Sequence, residues 1–320
     1  MSYENDTRQS PNPLPISIRF LIFGIGFVTL LFAVGFVSGF ATEPAERQSD
    51  ISFDRTLLVY TVLLAAGCFA LSRVCRQFVD HRPWKTMGFQ KLRVTGRDGI
   101  MAGLCLGSVP ILVTAGSLCL FGVWRMDGVR LSGITLAAVP ALAAAAFAEE
   151  VVFRGYLLRN MLDDRRPVAG ILLTSVFFLL AHGGNPGVRE SPIISINIAG
   201  AGVLLGLAFL LTDSIWFAVA VHFGWNAAQG LLLNLPVSGM TFGGLIQISP
   251  ADSAPTWLTG GSFGPEGSVL ITACELVMIA CFVTAVRRRS VAASQQSFNG
   301  VPKAGSDQHK SEKPSPATPR

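Results

Sequence analysis

About eight apolar runs, most of them as long as a helix needs to cross a bilayer's hydrocarbon core, dominate the 320-residue sequence. They fall near residues 18–40, 56–76, 100–124, 131–158, 168–182, 191–211, 214–235 and 268–286. Within lipid only helices and closed barrels satisfy every backbone N–H and C=O, and runs of this length without strict alternation are helical. The expected fold is therefore all-α, a polytopic transmembrane helix bundle of about eight spans. Charged residues make up only 14 % of the chain and hydrophobic ones 50 %. Soluble domains carry about 25 % charged residues, so a water-soluble enzyme is excluded.

The placement of Lys and Arg orients the bundle. With the N-terminus inside, all but five of the 25 Lys and Arg lie in cytoplasmic segments, the exceptions being Arg47, Arg55, Arg125, Arg130 and Arg189. That bias predicts both termini in the cytoplasm and an even number of spans. The net charge of +5 then reflects topology, and no nucleic-acid partner is expected. Three regions follow: a polar N-terminal tail (1–17), the bundle (18–286) and a disordered cytoplasmic tail (287–320) too poor in apolar residues to fold. The segment 236–267, with Phe242, Leu245, Ile246, Trp257 and Phe263 but no Lys or Arg, is expected to fold back over the bundle. The six cysteines all sit in apolar segments without metal-ligand or redox spacing, and read as packing residues.

Against this background the polar residues inside the runs stand out, because each ionisable group at membrane depth costs a few kcal/mol on insertion scales. Glu149 and Glu150 follow an alanine-rich stretch, and Arg154 closes the group. Glu150 and Arg154 are four apart, on one helix face with the acid first, which favours an ion pair. Glu149 points about 100° away and lacks that partner, as a general base would. A second run ends in Phe178 and His182, and a third holds His222 and Asn226, again four apart. One membrane histidine or asparagine alone reads equally well as interhelical glue. Together, two acids, an arginine, two histidines and an amide on three spans would leave many costly groups unpaired unless they converge. Helical rise sets Glu149, His222 and Asn226 about 12–18 Å above the inner boundary and His182 about 21 Å.

Glu-Glu-x-x-x-Arg, Phe-x-x-x-His and His-x-x-x-Asn, in this order between residues 149 and 226, resemble the motifs of the CPBP family of intramembrane endopeptidases, which includes the type II CAAX prenyl endopeptidases and the bacterial Abi proteins. The 259–268 segment also resembles a loop of bacterial members. The resemblance implies a peptide hydrolase acting on a membrane-associated peptide or protein, with the lipid bilayer as its other partner and the bacterial inner membrane as its location. It implies that Glu149 and His182 activate a water, that His222 and Asn226 stabilise the oxyanion, and that Arg154 holds Glu150 in support. The family's metalloprotease label leaves zinc as an alternative, with Glu149, His182 and His222 as the ligands; a metal-free mechanism is favoured, since no His-Glu-x-x-His helix is present. Two readings of other classes remain: a transporter or proton/ion pathway using the same polar residues, and a non-catalytic membrane scaffold.

Overall fold

A computed structural model describes residues 14–38, 53–89 and 92–299 of the chain. Eight long helices order it: α1 (Ile16–Ser38), α2 (Arg55–Val74), α3 (Leu92–Leu120), α4 (Gly133–Glu150), α5 (Pro167–Ala181), α6 (Pro192–Thr212), α7 (Ile215–Asn226) and α8 (Val269–Asn299). Among the described residues seven helices are long and apolar enough to span a membrane. The remaining run of the sequence is α7, whose polar His222, Asn226 and Gln229 dilute its apolar content. Side chains such as Leu21, Phe32 and Phe36 on α1 are openly exposed, as in a protein whose solvent is lipid. The protein is an integral membrane protein with a helical bundle fold.

Local sequence sets the helix ends. The Asp54, Ser132 and Ser191 side chains accept hydrogen bonds from the backbone N–H of Leu57, Thr135 and Ile193, capping α2, α4 and α6. Pro167 and Pro192 open α5 and α6, where the missing N–H costs nothing. Between helices, glycines permit close approach: a Cβ on Gly107 of α3 would lie 1.9 Å from the Val221 carbonyl oxygen, and one on Gly224 of α7 would lie 2.4 Å from that of Leu104. Small residues at such crossings are the usual route to tight packing in membranes. This crossing fixes the helix that carries His222 and Asn226.

One end of the bundle is tied by a buried polar knot. Arg19 donates to Asn160 at 2.8 Å and Arg76 to Asp163 at 2.7 Å, while the Asn160 amide donates to Asp80 at 3.0 Å. Arg19, Arg76, Asp80 and Asn160 are all buried. Arg159 pairs with Asp213, which takes a left-handed conformation as it terminates α6. Several arginines that the sequence suggests as topology markers are thus internal struts joining α1 to the segments that follow α2 and α4.

Two boundaries differ from the sequence expectation. The third run ends at Leu120, and Trp124–Val129 instead forms β1, which pairs antiparallel with β2 (Ile246–Pro250). This ribbon brings Trp124 into a buried cluster. Helix α8 continues past Arg287 to Asn299, so residues 287–299 of the expected disordered tail are helical; nothing in their composition opposes a helix once the apolar span has nucleated one. Residues 1–13 and 300–320, which hold most of the expected tails, lie outside the described residues. The segment between α7 and α8 does lie against the helices, with Phe242 and Phe263 buried, although Trp257 remains 53 % exposed.

Candidate active site

Helix α4 does not stop at Glu150. It continues as a π-helical stretch, Val151–Leu158, into Arg159–Asp163. Helix α7 does the same after Asn226, through Ala227–Leu232. Such wide turns are frequent at functional sites, since the changed pitch re-aims side chains that a regular α-helix would misplace.

Arg154 lies within the α4 turn and donates to Glu150 Oε1 at 2.9 Å, with both side chains fully buried. Its other guanidinium nitrogen donates to the Gly202 carbonyl of α6 at 3.1 Å. Glu150 Oε1 also accepts from His222 Nδ1 at 2.9 Å. The far nitrogen of that ring, Nε2, stands 3.9 Å from Glu149 Oε2. His222 therefore bridges the two adjacent glutamates, which leave α4 on different faces. Glu149 is the more accessible acid, with 31 % of its side chain exposed, and its Oε2 has no hydrogen-bond partner.

His182 occupies the junction where α5 tightens into a 3-10 turn, His182–Gly184. Its Nδ1 donates to the Phe178 carbonyl at 2.8 Å. A carbonyl only accepts, so the proton of neutral His182 sits on Nδ1 and Nε2 keeps its lone pair. The Phe178 ring lies 4.5 Å from the His182 ring and 6.0 Å from that of His222, with the Arg154 guanidinium 4.8 Å from its centre. Phe178 thus packs against both imidazoles and positions His182 through its backbone, a role the sequence spacing does not disclose.

Glu149, His182, His222 and Asn226 all line one cavity of about 380 Å³. The greater depth expected for His182 does not set it apart. Phe27 and Leu31 of α1, Leu57 and Leu64 of α2, and Leu142 of α4 form an apolar wall. Tyr60, Asn197, Ser238, Glu266 and Glu275 also face the cavity, and the sequence reading missed them as site residues. Asn197 and Glu275 carried a legible signal, being polar residues inside apolar runs as Glu149 is. Glu266 did not, since only the chain's return over the bundle brings it in. Its Oε2 accepts from the Ser238 amide at 2.6 Å and from the Ser238 hydroxyl at 3.0 Å. Burial pushes the Glu266 carboxyl above its ordinary value, against the opposing pull of the Ser238 amide and the His182 imidazole.

A family model described as Type II CAAX prenyl endopeptidase Rce1-like matches residues 131–228. The match contains Glu149, Glu150, Arg154, His182, His222 and Asn226 together. Residues 131–228 are thus similar to an Rce1-like domain. No curated protein and no solved structure matches the chain. The matched segment comprises α4 to α7, so the other helices wall the cavity from outside it. Zinc, suggested by the metalloprotease label, does not fit the donors as they stand: among the described residues no three His, Cys, Asp or Glu side chains are grouped to hold a metal ion.

Proposed function

We propose that the protein is an intramembrane endopeptidase that hydrolyses a peptide bond of a membrane-associated substrate, with Glu149 as general base. The observation that carries this reading is the bridge of His222 between Glu150 and Glu149. Because Nδ1 of His222 must donate to the Glu150 carboxylate, its Nε2 becomes a donor only when the ring is an imidazolium. With Glu149 and Glu150 ionised and Arg154 and His222 charged, the quartet sums to zero, which is how a buried cluster avoids an uncompensated charge. These closed pairings favour local chemistry over a transport pathway, which needs relays leading across the bundle.

The roles then follow from hydrogen-bond capacity. Glu149 takes a proton from a water whose second hydrogen is held by the His182 Nε2 lone pair. The oxygen attacks the peptide carbonyl carbon, and the developing oxyanion accepts from His222 Nε2–H and the Asn226 amide. As the C–N bond breaks, Glu149 returns its proton to the leaving amine. Positioned base and donors of this kind each contribute roughly 10²- to 10⁴-fold. The test is cleavage of membrane peptides by purified protein beside its Glu149→Gln variant. Equal cleavage by both would remove Glu149 as base.

A further inference from the structure

The hydrolytic mechanism leaves unused two carboxyls that face the same cavity, Glu266 and Glu275. Glu275, on α8, is only 3 % exposed, and its Oε1 has no hydrogen-bond partner. Its Oε2 rests in a notch that α6 leaves at Gly200, 2.4 Å from where a Cβ would stand. Glu266 spends Oε2 on Ser238, and its backbone carbonyl accepts from Asn197 of α6 at 2.7 Å. The two acids thus face one cavity, Glu266 from the returning loop and Glu275 from α8.

The contrast with Glu150 is informative, since that acid has Arg154 beside it. Among the described residues, those lining the cavity include Glu149, Glu266 and Glu275 but no Lys or Arg. An ionised Glu275, with no hydrogen-bond partner or cation beside it, would carry a desolvation cost of several kcal/mol. A cation entering between the apolar wall and the two acids would remove it.

Resting on the endopeptidase reading, we propose that Glu275 and Glu266 form a subsite for a positively charged group of the substrate, a Lys side chain or free amine whose alkyl stem lies along the apolar wall.

Binding is tested apart from turnover. Thermal unfolding of the detergent-solubilised protein is followed with added dodecylammonium, and with dodecanol as its uncharged counterpart. Dodecylammonium, but not dodecanol, is expected to stabilise the wild type and Glu149→Gln. Half-saturation should shift to about 30-fold higher concentration in Glu275→Gln or Glu266→Gln, as for loss of one partner of a buried charge pair. Undiminished stabilisation of both acid variants, or equal stabilisation by the alcohol, overturns the subsite. In parallel, peptides differing only by Lys or Met near the scissile bond are compared. The ratio of their kcat/KM values should fall about 30-fold in Glu275→Gln. An equal loss on both peptides would instead make Glu275 an acid in the chemistry or a strut, and overturns the proposal. Should the wild type cut no peptide, the endopeptidase reading fails while the amine arm still decides the subsite.

Discussion

Replacing Glu149 and Glu150 by Gln, one at a time, should give two inactive proteins of very different stability. The Glu150 and Arg154 side chains are both wholly buried and meet at 2.9 Å. Removing one partner of such a pair typically costs about 3–5 kcal/mol, because the other is left charged and uncompensated. Arg154 keeps only the Gly202 carbonyl, and His222 loses the anion opposite Nδ1. Glu149 has an unbonded Oε2 and is 31 % exposed, so its replacement should cost within about 1 kcal/mol. Followed by tryptophan fluorescence in detergent, Glu150→Gln should unfold on the order of 10 °C lower than the wild type, and Glu149→Gln within about 3 °C of it. Glu149→Gln should still lose about 10²- to 10⁴-fold in cleavage rate. Replacing Glu150 and Arg154 together by Gln should recover part of the stability lost by Glu150→Gln, since no bare charge remains. Equal destabilisation by the two single changes, or none by Glu150→Gln, would refute the division of roles.

Asn226→Ala should lower kcat by about 10²- to 10³-fold with little change in KM, as expected for loss of an oxyanion donor; a rise in KM alone would make Asn226 a binding group. Gly107→Ala should push α3 from α7 and destabilise by about 1–3 kcal/mol or more, read as a lower melting temperature with reduced cleavage. Because burial raises the Glu266 carboxyl, its stabilising contribution is full below the ordinary carboxylate range and is lost as pH rises through the raised value. Unfolding measured against pH should therefore show Glu266→Gln gaining on the wild type as pH increases, and a constant gap would contradict the raised value.

The chain determined its helices by itself. Apolar runs of bilayer length leave no alternative to helix, because lipid offers the backbone no hydrogen bonds, and the seven spanning helices fall where those runs lie. The offset between Glu149 and Glu150 was also legible, since it needs only the helical period, and the i,i+4 pairing of Glu150 with Arg154 follows from it. Which polar groups on separate helices meet was not written in any local pattern. The hydrogen bond to Glu150 and the longer approach to Glu149 that place His222 against α4 depend on a glycine crossing of α3 and α7, and the entry of Glu266 depends on a loop folding back through Ser238. Buried Arg19 and Arg76 make the same point, since sequence marks only their charge, whereas tertiary packing supplied Asn160 and Asp163 as their partners. Local periodicity fixes the direction in which a side chain leaves its own helix; the distance to a partner on another helix is set by how the helices pack, and that distance decided which acid is neutralised and which remains open to the cavity.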